Sequence, residues 1–148
     1  MVTHTLSLES TALDQDVLCV TTVLPSYLFV FHLNRLLGLS LERSKEDLKV
    51  KNTADIFAVY EYDCAVMQQS WRVIENHVVS TSPPEQLGMF DRAEQRRLLF
   101  PALSQTDLLI CVNDMTENIA KKIRSISRVI SCSELPKEYN KIKEKLTF

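Results

Sequence analysis

The chain has 148 residues, the size of one ordinary domain, and 45% of them are hydrophobic while 24% are charged. These proportions argue against a disordered chain, a coiled coil and a membrane protein, and they leave enough apolar residues for a substantial core. Seventeen Lys and Arg against nineteen Asp and Glu give a formal net charge of −2, which argues mildly against nucleic-acid binding.

The first predicted elements are strands followed by a helix. Residues 5–9 alternate weakly, as in a short edge strand, and residues 16–24 are rich in β-branched and apolar side chains, as in a longer strand. Ser26 is a predicted N-cap for a helix over 27–37, which Gly38 is placed to close. Because most of its side chains are apolar, we expect this helix to be buried on nearly every side.

The middle of the chain predicts a hairpin and then an excursion. Residues 39–52 indicate a short extended piece followed by an exposed loop. Strands at 56–62 and 71–79 follow, and the residues between them favour an antiparallel pairing. Residues 80–100 then contain two adjacent prolines and a charged run, which indicates a long excursion from the sheet.

The last part predicts a β-α-β unit. Residues 107–112 form an apolar run typical of a central strand, Asp114 and Glu117 have the spacing of a capping box, and 128–132 returns as a strand. A short basic tail occupies 136–148. The helix residues expected to face the core are Ile119, Ile123 and Ile126. The tail residues expected to pack are Tyr139, Ile142 and Leu146.

Together these elements predict a single α+β domain over 1–148. We expect two main helices on one face of a mixed, mostly antiparallel sheet of about five strands, in the order β-α-β-β-β-α-β. Part of this order is ferredoxin-like, with one strand more than the simple form has.

The residues needed for several kinds of chemistry are missing from the sequence. Gly38 and Gly88 are the only glycines, which excludes the usual glycine-rich phosphate loops. The four cysteines are widely spaced and the three histidines form no close ligand pairs, so we expect reduced, buried thiols, no metal site and no cofactor.

One cysteine–histidine pair is the sharpest catalytic hypothesis. Cys64 follows the first predicted strand of the hairpin and His77 lies on the second, so the hairpin could bring them together. The neighbouring carboxylate of Asp63 is expected to raise the thiol pKa, which is the wrong direction for a nucleophile. We therefore favour a loop cysteine beside a half-buried histidine and predict no catalytic residue. Three aromatic residues of the hairpin could stack bases or a ligand, but a core layer is favoured. These are Tyr60, Tyr62 and Trp71.

The charge along the chain is uneven. Residues 115–148 carry eight basic and four acidic side chains, so the rest of the chain is acidic. This asymmetry could guide an acidic partner to the C-terminal end, while the ordinary alternative is a solvated helical face and a tail. The candidate interaction surface is a set of basic residues, namely Arg35, Arg43, Lys121, Lys122, Arg124 and Arg128.

Two segments of the sequence match the pattern of a known family. Leu33–Arg43 reads LNRLLGLSLER, and Leu99–Ile110 has a proline followed by an aspartate that enters an apolar run. They resemble the LN-x-x-LGL-x-L-x-R segment and the naming segment of the small IPExxxDY family, which is typical of Bacteroidetes. The Lys-rich end also resembles it. The family glutamate is Ala102 here, the tyrosine is Leu108, and the proline-to-aspartate spacing is one residue longer. The resemblance implies cytoplasmic housekeeping work and no particular activity.

These features favour a non-catalytic cytoplasmic module that acts through protein–protein contacts, either with another protein or as a homodimer through a sheet edge or an apolar helix face. The N-terminus has no basic start or apolar stretch typical of a signal peptide, and the chain has no run long enough to span a membrane. One alternative is a regulatory domain with a small-ligand pocket between sheet and helices near 80–97. Another is RNA association through the basic C-terminal segment, and an enzyme is the least favoured reading.

Overall fold

The computed structural model describes residues 15–49, 55–81, 94–113 and 117–146. The strands in chain order are β1 (Asp16–Thr22), β2 (Glu42–Arg43), β3 (Leu48–Lys49), β4 (Ile56–Phe57), β5 (Val59–Cys64), β6 (Gln69–Glu75), β7 (His77–Thr81), β8 (Glu94–Leu98), β9 (Leu108–Val112) and β10 (Val129–Glu134). The helices are α1 (Ser26–Leu37), α2 (Glu117–Arg124) and α3 (Asn140–Lys145), and single 3-10 turns cover Pro101–Leu103 and Lys137–Tyr139.

Six strands form the main sheet, in the spatial order β10-β1-β9-β6-β5-β2. Every neighbouring pair is antiparallel. All five residues of β9 are buried, as its continuous apolar sequence predicts, because this strand lies in the interior of the sheet. β9 and β10 are not neighbours, since β1 lies between them. The α+β class is confirmed, while the sheet has six strands instead of about five.

Two predicted segments are divided differently in the structure. The strand expected over 71–79 ends at Glu75, because the fully buried Asn76 turns its backbone and side chain to other segments, and β7 begins after it. Part of the 80–100 excursion then returns as β8, which pairs with β7 in a two-stranded sheet. The predicted strand at 5–9 and the predicted N-cap Asp114 fall outside the described residues.

The main sheet has a core on each face. On one face, α1 and α2 cover the sheet. Ile119 and Ile123 of α2 are confirmed as buried, and Ile126, which was predicted on the same helix, is buried just after α2 ends. On the other face, the turn at 101–103 and the C-terminal segment pack against β1, β5, β6 and β9. The segment expected to be a tail thus forms α3, and the residues expected to pack join this second core: Tyr139, Ile142 and Leu146.

Helix α1 is exposed along one side, contrary to the expectation that it is buried nearly all round. Only Phe29, Val30 and Leu33 are buried, because α1 lies on the outside of the sheet and contacts it along one stripe. The predicted closing residue is confirmed, since Gly38 takes a left-handed conformation with φ 66°. The predicted N-cap is wrong. Helix-type backbone bonds begin at Pro25 O, and the Ser26 hydroxyl instead donates to Glu75 Oε1 at 2.6 Å.

Three of the four thiols are buried as expected, and Cys64 is half-buried. Burial raises the pKa of Cys111 from its ordinary 9.0 to about 12. Because the unfolded thiol ionises first, the stability that the neutral thiol confers is complete below pH 9.0 and is lost as the pH rises toward 12.

We therefore expect the wild-type protein to lose more stability at alkaline pH than Cys111→Ala does. The difference at a pH of about 10.5 should be roughly 2 kcal/mol. Urea unfolding of both proteins from neutral to alkaline pH measures it. Cys64→Ala is the matched control, because the pKa of that thiol is lowered in the fold and its removal cannot relieve the alkaline loss. Parallel pH profiles for wild type and Cys111→Ala would contradict the assignment.

Candidate interaction surface

The predicted basic residues do not all lie together. Lys121, Lys122 and Arg124 are exposed on α2, and Arg128 follows them at the start of β10, against which α2 packs. Arg43 lies on β2, at the opposite edge of the sheet.

Arg43 is also held locally. Its guanidinium forms a two-point contact with the Asp47 carboxylate, with distances of 2.9 and 2.7 Å, and lies 5.8 Å from the centre of the Tyr60 ring. The contact lowers the pKa of Asp47 and raises that of Arg43. Arg43 is therefore a local ion-pair residue apart from the others.

The exposed side of α1 carries a line of apolar side chains. Val23, Tyr27 and Phe31 are spaced four residues apart and are 68%, 67% and 52% exposed. Residues four apart lie on the same side of a helix, and Val23 stands just before its first turn. Large apolar side chains grouped in this way on a surface are typical of a contact site.

An arginine lies at each end of this line. At one end, the Arg35 guanidinium is 5.9 Å from the centre of the Phe31 ring. At the other end, the Val23 amide donates to the Arg128 carbonyl at 3.3 Å, which fixes the start of β10 beside the start of α1. We call Val23, Tyr27, Phe31, Arg35 and Arg128 the α1 surface.

The α1 surface is cationic. The helix sequence SYLFVFHLNRLL contains no acidic residue, and α2 on the same face of the sheet has three basic side chains against one acidic residue. His32 packs beside Phe31 with ring centres 5.6 Å apart at an interplanar angle of 71°. The structure thus joins two of the predicted basic residues, Arg35 and Arg128, to an apolar line that the sequence analysis had assigned to the core.

The outer edge of β10 is a poorer contact surface. The pairing of β1 with β10 shifts between Thr21 and Thr22, which leaves Ile130 as an extra residue in a bulge. Bulges twist an edge strand and interrupt the row of groups that a new strand would pair with. Charged residues flank the strand, Arg128 before it and Glu134 at its end.

Cys64 and His77 do not form a pair. Cys64 is opposite Gln69 at the turn of the β5–β6 hairpin, whereas His77 lies eight residues beyond Gln69 and pairs with Leu98. The expected direction of the thiol pKa is also wrong. The backbone N–H of Met67 and the Tyr62 hydroxyl donate to the sulfur and lower its pKa.

The Asp63 carboxylate accepts a hydrogen bond from the Ser70 hydroxyl at 2.7 Å. The aromatic residues of the hairpin form a core layer as expected. Trp71 and Tyr60 are 2% and 7% exposed, and Tyr62 packs against them.

A buried polar group that the sequence analysis missed lies at Asn76. Its side-chain amide donates to Leu103 O and Thr106 O and accepts from Phe100 N–H, each at 2.9 Å. Its backbone accepts from Leu99 N–H at 2.7 Å. In the sequence, the only sign of this role is that Asn76 is a polar residue within an apolar strand pattern. Asn76 therefore holds the segment 99–106 against the sheet.

Asp107 has a similar structural role. Its carboxylate accepts the Thr22 amide at 2.9 Å and lies 3.1 Å from Nδ1 of His77, while its backbone bonds to Val20 and Asn76. These contacts join the end of β1 to the start of β9.

No family model, curated protein or solved structure matches this chain. Within the described ranges, no group of three or more His, Cys, Asp or Glu residues could hold a metal ion. Among the helices of that same part of the chain, none is long and apolar enough to cross a membrane.

Proposed function

We propose that the chain is a non-catalytic cytoplasmic module that binds another protein through the α1 surface. The observation that carries the proposal is the set of three exposed apolar side chains, with the Arg35 guanidinium over the Phe31 ring at one end and the Arg128 backbone bonded to Val23 at the other. The complementary partner is a protein segment with apolar side chains flanked by carboxylates. Such a segment would cover the aromatic rings and pair with Arg35 and Arg128.

The composition of the α1 surface supports this proposal. Aromatic residues and arginine are enriched at protein interfaces and contribute most of the binding free energy in many of them. A ring already in contact with a guanidinium also needs less ordering when a partner binds.

The partner is proposed to be a different protein instead of a second copy. In a symmetric contact through the α1 surface, the arginines of one copy would approach those of the other, and like charges oppose association. The bulge in β10 argues in the same way against joining two copies edge to edge.

The test is selection of peptides from a random displayed library, followed by fluorescence anisotropy with the selected peptides. We expect wild-type protein to enrich aliphatic or aromatic anchors flanked by Asp or Glu. Phe31→Ser and Arg35→Glu should each weaken binding about tenfold or more, which corresponds to about 1.4 kcal/mol. Val66→Ser is the matched control, since Val66 is 93% exposed but lies on the distant β5–β6 turn.

Three outcomes would overturn the proposal. Selected peptides that lack acidic residues would contradict the expected charge complementarity. Equal binding by wild type and Phe31→Ser would exclude the α1 surface as the binding site. An RNA oligonucleotide that binds with steep salt dependence and is insensitive to Phe31→Ser would transfer the function to the basic side chains of α2.

We also propose kinship with the IPExxxDY family. It rests on the sequence of Leu33–Arg43, which includes the last turn of α1, and on Leu99–Ile110, which includes the segment held by Asn76. Kinship with this family would be consistent with a cytoplasmic protein, and it would imply no particular activity.

A further inference from the structure

A cavity of about 210 Å³ opens on the face of the sheet that α1 and α2 do not cover. Cys19 and Ser133, which oppose each other on β1 and β10, lie at its base. One wall is the segment 102–106, and the other contains Pro136 and Tyr139. A ligand pocket was expected between the sheet and the helices near 80–97, so this cavity lies on the opposite face from the one expected.

The lining favours a neutral molecule. The described residues that line the cavity include no charged side chain, while four of them carry hydroxyl groups. Those four are Ser104, Thr106, Ser133 and Tyr139. Hydroxyl groups both donate and accept hydrogen bonds, but they cannot neutralise an ion that has left water. A charged ligand would therefore bind less well than its neutral counterpart.

Among the described residues, three of these hydroxyl groups have no hydrogen-bond partner. The Thr106 hydroxyl donates to the Cys19 thiol, which opposes the rise in the thiol pKa that burial causes. In the part of the chain that the structure describes, the side chains of Ser104, Ser133 and Tyr139 make no hydrogen bond to another residue. They remain able to bond a ligand.

The wall at 102–106 is fixed from inside the protein. Asn76 is fully buried and bonds the carbonyls of Leu103 and Thr106, so the loop is held to the core. The Thr21 hydroxyl adds a bond to the Gln105 carbonyl at 2.6 Å. Because the wall is already ordered, a ligand would not have to order it on binding.

We propose that this cavity is a binding site for a neutral planar heterocycle of about nucleobase size. Its ring would pack on Pro136 and the Tyr139 ring, and its polar edge would bond the hydroxyls of Ser104 and Ser133. Ligand sites of this kind combine apolar walls with a few polar groups that set orientation. The site is independent of the α1 surface, which lies on the other face of the sheet.

The experiment is a titration of ¹⁵N-labelled protein with adenine, uracil and nicotinamide, followed by amide NMR shifts. We expect at least one of these probes to give saturable shifts concentrated in 102–106 and 133–139. Nicotinate has the shape of nicotinamide but carries a charge, and we expect it to bind at least tenfold more weakly.

Two variants at exposed serines of the same strand locate the site. Ser133→Leu places a bulky side chain at the base of the cavity and should weaken binding at least tenfold. Ser131→Leu is the matched control, because Ser131 is exposed on β10 and does not line the cavity, and it should bind as wild type does. The NMR spectra also show whether each variant is folded.

The proposal would be overturned by the absence of shifts in these segments with all three neutral probes at millimolar concentration. Equal affinity for nicotinate and nicotinamide would overturn the preference for neutral ligands. Unchanged binding by a folded Ser133→Leu protein would exclude the cavity as the site. None of these results depends on whether α1 binds a protein.

Discussion

Replacing Asn76 with alanine is expected to lower the free energy of unfolding by about 3 kcal/mol. The substitution removes three side-chain hydrogen bonds, which leaves the buried Thr106 carbonyl and the partly buried Phe100 N–H without those partners. Urea denaturation followed by tryptophan fluorescence measures the loss, because Trp71 is the only tryptophan and is buried in the sheet.

Asn34→Ala is the control for Asn76. Asn34 also uses its side-chain amide twice, donating to Leu41 O and accepting from Leu41 N–H, but it is only half-buried. Water can replace its lost bonds, so we expect a cost of about 1 kcal/mol. Equal losses for the two variants would show that burial does not increase the contribution of the Asn76 hydrogen bonds to the free energy of unfolding.

Phe29→Ala is expected to destabilise the protein by about 3–5 kcal/mol, whereas Phe31→Ala should cost less than about 1 kcal/mol. The two residues are separated by one position in α1, yet Phe29 is fully buried and Phe31 is 52% exposed. The first substitution leaves a cavity between α1 and the sheet, and the second removes a surface ring.

Thermal and urea unfolding of both variants measure this difference under the same conditions. A large loss for Phe31→Ala would mean that its ring belongs to the core, and the α1 surface would then lose its central residue. A small loss for both would mean that α1 contributes little to the stability of the sheet.

The sequence predicted most strands where apolar runs were long, because burial on both faces of a sheet leaves a continuous apolar pattern. β9 is the clearest example. The inward face of α2 was predicted instead from the helical spacing of its apolar residues. The pattern could not give the place of β9 between β1 and β6, because an apolar run shows that a strand is interior but not which strands lie beside it, and the three strands are far apart in the chain. It also missed the break at Asn76, whose bonding partners lie 23 to 31 positions later.

The proposed contact surface was predicted in part. Basic residues were identified from the sequence, because charge can be counted without a structure. The apolar line beside them was assigned to the core, since an apolar helix has the same composition whether a partner or the protein covers its outer side. Phe29 and Phe31 can be distinguished as buried and exposed only once the position of α1 on the sheet is known.

The position of β9 has a consequence for biosynthesis. This interior strand pairs with β1 and β6, but it follows both in the chain by more than thirty residues. A ribosome therefore releases β1 and the β5–β6 hairpin before the strand that joins them exists. Until then β1 and β6 each lack the strand that pairs with both of them. Long-range pairings of this kind slow folding and favour aggregation. The nascent chain therefore keeps these apolar strands exposed to a chaperone, or to aggregation, until β9 emerges.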